Sequence, residues 1–257
     1  MPRVVIVTGG TYGIGRAITL TLAAKGWRVV AFGLEARQMG SMAQQGIAGT
    51  RKSLEAQGLS ADLLEADVTK PGDVQRVVAL ALAEHGRIDA LVNNAAIHPR
   101  GTLVNTPLEV WQRVLDVNLT GMFICAKAVL PHLLKQRRGA VVNIGSGSGW
   151  GKPDLAAYCA SKGGVHAFTM ALAYDHLRDH VRVNMVVPGG GTQTGMNEGI
   201  DPESRPPRGT VTGRPTMPQD IANAVSFLLS DEAEQISGTV IDVGAFANQG
   251  GPMPRGN

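Results

Sequence analysis

Thr8-Gly9-Gly10-Thr11-Tyr12-Gly13-Ile14-Gly15 follows the apolar run Val4-Val5-Ile6-Val7 and precedes a helix-periodic segment that starts at Ile14. This order reads as a strand, a glycine turn and the first turn of a helix. Glycine lets the backbone turn sharply and lets a ligand approach closely. The helix N-terminus adds free N–H groups and the positive end of a dipole, which together suit a phosphate. The spacing is Gly-x-x-x-Gly-x-Gly counted from Gly9, and differs from the Gly-x-Gly-x-x-Gly fingerprint. The turn therefore marks a phosphate-type site in an α/β unit without naming its occupant.

Outward from this turn, short apolar runs alternate with helical patterns. Strands are expected at Val4–Val7, Val29–Phe32, Leu63–Ala66, Ala90–Val92, Ala140–Ile144, Val181–Val187 and Thr239–Val243. Helices are expected at Ile14–Lys25, Thr50–Gln57, Gly72–Glu84, Leu108–Gln136, Leu155–Arg178 and Gln219–Leu229. Several strands are apolar at successive positions, as when helices cover both sheet faces. Alternation of this kind predicts an α/β fold: a doubly wound parallel sheet of about seven strands with right-handed crossovers. No linker divides the chain, so residues 1–257 are expected to form one domain. Between Pro188 and Pro218, thirteen of 31 positions are Gly or Pro, and the stretch 189–217 reads as a loop or lid over a site.

The bulk numbers bound the function. The chain has 257 residues, 44% hydrophobic and 18% charged, with a net charge of +3 and a pI near 9.0. Its basic residues are scattered, apart from Lys135, Arg137 and Arg138, which read as a solvated helix end. No Lys/Arg stripe or aromatic platform supports nucleic-acid binding. Cys125 and Cys159 have neither disulfide nor ligand spacing, and the six histidines form no metal-binding pattern, so no metal is expected. The N-terminus enters a strand at once, with no signal peptide and no long apolar run, so neither a membrane nor an oxidising compartment is expected. A reducing cytoplasm is the simplest setting.

Tyr158 and Lys162 lie four apart and share a helix face. A free tyrosine, with a pKa of about 10, is a poor proton shuttle near neutrality. A cation about 4 Å away, at an effective dielectric of about 20, contributes roughly 4 kcal/mol, or about 3 pK units. That brings Tyr158 toward the working range of an acid–base group. A lone Tyr-x-x-x-Lys is common by chance, and its setting gives it weight here. Upstream, Val141-Val142-Asn143-Ile144-Gly145-Ser146-Gly147-Ser148 reads as a buried strand ending in small residues. Ser146 or Ser148 would then stand at the C-terminal edge of the sheet, where open α/β sheets bind ligands. A hydroxyl there can hold a carbonyl or alcohol oxygen.

Together these residues resemble the classical short-chain dehydrogenase/reductase family. The resemblance runs over nearly the whole chain and is carried by several motifs in order. They are Thr8–Gly15, Asp67-Val68, Asn93-Asn94-Ala95-Ala96, Asn118, Ser146, Tyr158, Lys162 and Pro188-Gly189. It implies a Rossmann-type fold and a hydride transfer between a nicotinamide cofactor, NAD or NADP, and a secondary alcohol or ketone. Tyr158 would be the general acid in reduction and the base in oxidation. Lys162 would depress its pKa and bind the nicotinamide ribose. Ser146 would orient the substrate oxygen, and Asn118 would hold a water linking Lys162 to solvent. Gly9, Thr11, Tyr12, Gly13, Ile14 and Gly15 would hold the dinucleotide. Asp67, Val68, Asn94, Ala95 and Ala96 would line its adenosine side, and Pro188, Gly189 and Thr194 its nicotinamide end.

The chain departs from the family pattern in places. Ala96 replaces a glycine, and Ser146 stands one residue closer to Tyr158 than is common. The segment after Pro188 is one residue long, so Thr192 competes with Thr194. Asp242-Val243-Gly244 replaces the usual ending, which puts the C-terminal contacts in question. At the cofactor loop, Gly33 stands where NAD-using relatives carry an acid, and Leu34 and Tyr12 stand where NADP users carry a base. Glu35 can reach a ribose and repel a 2′-phosphate, while Arg37 can do the opposite; the balance favours NAD slightly. The segment around Met39–Gly49 looks longer than usual. His98, Ser148, Trp150 and Met196 are expected to line the substrate pocket. The helices at Leu108–Gln136 and Leu155–Arg178 are apolar on more than one face, and with the resemblance they imply a homotetramer. The rival reading is a nicotinamide-binding sensor or scaffold without turnover.

Overall fold

A computed structural model describes residues 1–35, 45–189, 192 and 214–244. Among them runs a seven-stranded sheet in the order β3-β2-β1-β4-β5-β6-β7, parallel throughout. The strands are β1 Val4–Thr8, β2 Arg28–Gly33, β3 Asp62–Glu65, β4 Ala90–Asn93, β5 Gly139–Ile144, β6 Val181–Pro188 and β7 Val240–Val243. The helices are α1 Gly13–Ala24, α2 Gly46–Glu55, α3 Pro71–His85, α4 Leu108–Leu115, α5 Gly121–Gln136, α6 Ala156–Asp175 and α7 Pro218–Leu229.

The apolar run of β1 follows from burial on both faces. Successive side chains of a strand point to opposite sides. Val4 and Ile6 join Val77, Val129 and Leu133 of α3 and α5 on one face. Val5 and Val7 join Ile18, Leu22, Ile221 and Val225 of α1 and α7 on the other. All four β1 valine and isoleucine side chains are 2% exposed or less, so alternation with polar residues has no place in this strand. Because β1 lies between β2 and β4, the strand order reverses beside it. A crevice opens there at the C-terminal strand ends, where α/β sheets take their ligands.

Three differences from the sequence reading have physical causes. The helix expected at Thr50–Gln57 begins at Gly46, because Gly46 N–H bonds the Thr11 carbonyl and docks the segment on the glycine turn. Glycines at 46 and 49 weaken the periodic signal there. The helix expected over Leu108–Gln136 is interrupted by a π turn at Asp116–Thr120, a widening that often marks functional positions. That same stretch of 29 residues corrects the expectation of no long apolar run. By length and composition it could cross a membrane, with mean hydropathy 1.4, yet half of the window is buried within the fold. Its Val117, Cys125, Ala126, Val129, Leu130 and Leu133 belong to the core.

The Gly/Pro-rich stretch 189–217 lies largely outside the described residues, as do Arg37, Thr194 and Met196.

Candidate active site in the sheet crevice

The glycine turn is braced from β4. Thr8 Oγ1 accepts from the backbone N–H of Asn94 (2.9 Å) and Ala95 (3.0 Å). Asn94 Nδ2 donates to the carbonyls of Thr8 (3.1 Å) and Gly9 (3.0 Å). Gly9 and Gly13 take positive φ, +61° and +49°, which a side chain would strain. A Cβ on Gly15 would overlap the Gly9 carbonyl oxygen and come within 2.5 Å of Asn94 Nδ2. The turn is thus closed to side chains. At the α1 N-terminus, Gly13 N–H donates to Gln45 Oε1 at 2.8 Å, which shows one donor directed at an acceptor oxygen. These features fit the pyrophosphate of a dinucleotide. Asn94, expected at the adenosine side, spends its amide on holding the turn.

Beside the turn, Glu35 closes a polar knot. Glu35 Oε1 accepts from Ile47 N–H at 2.6 Å, and Oε2 accepts from Tyr12 OH at 3.2 Å. A Cβ on Gly46 would come within 2.7 Å of both Glu35 Oε2 and Tyr12 OH. Leu34 stands half exposed next to it. Across the crevice, Asp67 Oδ1 accepts from Thr69 N–H (2.9 Å) and Oγ1 (2.7 Å), and Arg113 lies 3.8 Å from Oδ2. Val68 is buried, packed so closely on Gly121 that a Cβ there would come within 2.8 Å of Val68 Cγ2.

Tyr158 and Lys162 project from α6 into a dry site, 7% and 2% exposed. Lys162 Nζ donates to the Ile144 carbonyl at 2.8 Å, tying α6 to the end of β5. It sits 5.8 Å from the centre of the Tyr158 ring. Tyr158 and Ser146 are hydrogen-bonded through their side chains. Ser146 caps a 3-10 turn at Gly147–Trp150, where its Oγ accepts from Ser148 N–H at 3.1 Å. The His98 ring meets the Tyr158 ring edge-on, with centroids 4.3 Å apart at 83°. His98, expected at the substrate pocket, therefore stands beside the phenol. Trp150 is 54% exposed, with its ring 5.3 Å from His166.

The electrostatics depart from the sequence argument. Burial pushes the Tyr158 phenol up to about 12, against a smaller lowering by the Ser146 hydrogen bond. Burial also pushes Lys162 down to about 8. The expected three-unit depression is thus reversed: burial of the phenol outweighs the lowering by the Ser146 hydrogen bond. Lys162 remains protonated for the most part at neutral pH, so an ammonium still faces a neutral phenol.

This arrangement predicts a pH signature. The folded pKa of Lys162, about 8, lies below its ordinary value of 10.5. Between those values the unfolded chain holds a proton that the folded chain has lost, so stability rises with pH across that window. Compared with Lys162→Met, the wild-type urea midpoint is expected to climb from pH 8 toward 10.5. Parallel pH courses for the two proteins would show that this ammonium is not desolvated.

Asn118 lies in the π turn and is fully buried. Its Oδ1 accepts from Ile97 N–H (2.8 Å), and its Nδ2 donates to the Ile97 carbonyl (3.0 Å) and Ser161 Oγ (3.1 Å). Both Nδ2 donors are thus engaged, and Oδ1 keeps capacity for a second hydrogen bond. At the far end, Gly189 N–H donates to the Val243 carbonyl at 2.8 Å, and a Cβ on Gly244 would overlap Gly189 Cα. The variant ending Asp242-Val243-Gly244 therefore keeps a backbone-to-backbone approach that only glycine permits. Thr192 Oγ1 donates to the Gly189 carbonyl at 2.8 Å. Ala96 follows the braced pair, half buried.

Sequence reasoning missed the roles of Gln45 and Gly46, which belong to the segment expected to be longer than usual. It also missed a buried relay from Asn93 Nδ2 to Asn143 Oδ1 (2.9 Å) and from Asn143 Nδ2 to Thr169 Oγ1 (3.0 Å). Two asparagines at the ends of apolar strands were the available signal. No cluster of three or more metal-ligating side chains occurs among the described residues.

Known proteins resemble this chain closely. The family model described as short chain dehydrogenase matches residues 3–205. A 2-(S)-hydroxypropyl-CoM dehydrogenase of Xanthobacter autotrophicus is 37% identical over 97% of this chain and 96% of its own length. A meso-2,3-butanediol dehydrogenase of Serratia marcescens is 35% identical over 97% of each. A crystal structure of an actinorhodin polyketide ketoreductase with NADPH superposes with a TM-score of 0.84 at 30% identity, over 96% of this chain and 97% of that one.

Proposed function

The chain belongs to the short-chain dehydrogenase family, and on that premise we propose that it interconverts a small secondary alcohol and its ketone, with Tyr158 as the proton-transfer residue. The observation that carries this reading is the buried contact of Tyr158 with Ser146 beside Lys162, at the mouth of a glycine-lined crevice. The turn at Gly9, Gly13 and Gly15 would hold a nicotinamide dinucleotide, which would supply or accept the hydride.

The chain's own residues supply the rest. Ser146 Oγ holds the substrate oxygen next to the phenol. Tyr158 gives its proton to that oxygen in reduction and takes one back in oxidation. Lys162, anchored on the Ile144 carbonyl, offsets the charge that appears on the phenol when its proton leaves. Asn118 fixes the loop at Ile97 against α6 through Ser161, and so sets His98 against the Tyr158 ring. Burial of both groups excludes water, which strengthens each of these interactions. The convergence of four such groups favours catalysis over a sensor without turnover.

The relatives' names point to alcohols and ketones as the substrate class. Following reduced nicotinamide absorbance against a panel of secondary alcohols and ketones tests the reading. Binding of the dinucleotide without turnover of any panel member would overturn it.

Glu35 supports NAD as the cofactor. Its carboxylate occupies the N-terminus of α2, through Ile47 N–H and Tyr12 OH, ground that a 2′-phosphate would need. Glu35→Gln is expected to narrow the preference for NADH over NADPH by tenfold or more, measured as the ratio of kcat/KM values. An unchanged ratio would remove Glu35 from cofactor choice. The assembly we propose is a homotetramer in the cytoplasm. Exposed Phe123 of α5 and Tyr174 of α6, 49% and 82% accessible, support burial by a partner copy. Size-exclusion chromatography showing only monomer at micromolar concentration would count against it.

A further inference from the structure

At the N-terminal ends of the strands, opposite the crevice, lies a cleft of about 590 Å³. It is lined by Arg3, Arg137, Arg138, His180, Arg182 and Asp231, from four separated parts of the chain. Its charges do not balance locally. Asp89 also borders the cleft, but its carboxylate is held by Arg87 Nε (3.1 and 2.9 Å) and by Val4 N–H (2.8 Å). Asp231 then serves two guanidiniums through one oxygen: Oδ1 accepts from Arg138 at 2.7 Å and from Arg3 at 3.0 Å. Glu234 is the other acid in the lining. Four guanidiniums thus face two carboxylates not already engaged elsewhere.

Arg182 is the least well served. Its donors reach only the carbonyls of Ser230 at 3.3 Å and Ile236 at 3.4 Å, near the limit of a hydrogen bond. Burial lowers its pKa; the Asp231 charge raises it in part, and the charges of Arg3 and Arg138 lower it again, against a small raising by Glu234. Arg137 donates to the Arg178 carbonyl at 3.1 Å.

The backbone gives an independent indication. Arg137 and His180 both sit at helix ends in the left-handed region, with φ of 50° and 60°. Glycine is the usual residue at such ends, because a Cβ is strained there. Two of the three non-glycine residues with positive φ among those described therefore line this one cleft. Strained side chains gathered in one place point to use of the side chains.

We propose that this cleft binds the phosphate group of a small phosphorylated molecule, chiefly through Arg138 and Arg182. The fork of a guanidinium matches two phosphate oxygens, and a dianion supplies the charge that Asp231 alone cannot. The volume exceeds that of inorganic phosphate, which leaves room for an organic remainder or a second phosphoryl group. The site is separate from the glycine turn and does not rest on the dehydrogenase reading.

Isothermal titration with pyrophosphate and with inorganic phosphate, at constant ionic strength, tests the proposal. The glycine turn is a second place for pyrophosphate, so the decisive comparison is between wild type and cleft variants. Arg138→Gln with Arg182→Gln is expected to weaken one class of pyrophosphate site by tenfold or more. Asp231→Asn, which removes the competing carboxylate, is expected to tighten the same site several-fold. Tighter pyrophosphate than phosphate would identify a diphosphate-type ligand; equal affinities would identify a monophosphate. If the double variant does not fold, exposed Arg138→Gln alone and Asp231→Asn carry the same test. Equal titration curves for wild type and all variants, or no uptake at millimolar anion, would overturn the proposal.

Discussion

Tyr158→Phe is expected to keep dinucleotide binding and to lose about a thousandfold in kcat, within the range of about 10² to 10⁴ for a positioned acid–base group. Phenylalanine retains the ring that packs edge-on against His98, so the local shape survives. What goes is one hydroxyl, in side-chain contact with Ser146, in a site where Lys162 is held at the Ile144 carbonyl and Asn118 is tied to Ile97. The unmodified protein adds a pH expectation. With the phenol pushed up to about 12, Tyr158 is protonated throughout the neutral range and poised to donate. Ketone reduction is therefore favoured near neutrality, and alcohol oxidation gains as the solution becomes alkaline. Steady-state rates in both directions, with dinucleotide affinity from fluorescence titration, check both statements. A kcat within tenfold of wild type would remove Tyr158 from the proton transfer.

Gly15→Ala is expected to abolish measurable dinucleotide binding, with affinity down a hundredfold or more. The added Cβ would overlap the Gly9 carbonyl oxygen and press on Asn94 Nδ2 at 2.5 Å. Relief requires the turn to move, because the obstruction is backbone on one side. Movement breaks the bonds from Asn94 to the carbonyls of Thr8 and Gly9, so the brace and the cradle fail together. Overpacking of this kind costs about 1–3 kcal/mol, so a lower melting temperature should accompany the loss. Gly26→Ala is the control. Gly26 also has positive φ, +81°, but nothing lies within 4 Å of its added Cβ. It should cost about 1 kcal/mol of stability and leave affinity unchanged. If Gly15→Ala binds NADH within a few-fold of wild type, the glycine turn is not the phosphate cradle.

Most of the fold was legible because its signals are local. The apolar run at Val4–Val7, the glycines that follow it and the strand–helix alternation each reflect burial on two faces of one sheet, and the seven strands fall where those runs lie. The Tyr158–Lys162 pairing was legible for the same reason, since four residues on a helix is a fixed geometry. What the sequence hid depends on distant partners. The pKa of Tyr158 turns on how much of the fold closes over it, which no spacing records. Gln45 and Glu35 meet the glycine turn only because α2 docks there, and glycines at 46 and 49 masked that helix. The bonds of Asn118 run to Ile97 and Ser161, 21 and 43 residues away, which no local spacing records. Arg137 and Arg138 looked like an ordinary solvated helix end. That they share a cleft with Asp231 and Arg182 is set by how the N-terminal ends of the strands meet.

The position of β1 between β2 and β4 has a kinetic consequence. β1 can pair with β2 early, since Val5 meets Val29 across a short stretch of chain, but its other neighbour, Ala90 of β4, arrives much later. Until then the glycine turn has no Asn94 to hold it. Loop closure over such spans is slow, and parallel pairing is inherently non-local. A nascent or refolding chain that has assembled only β1, β2 and β3 therefore passes through a nucleotide-blind stage. Recovery of dinucleotide affinity during refolding should lag behind recovery of helical circular dichroism.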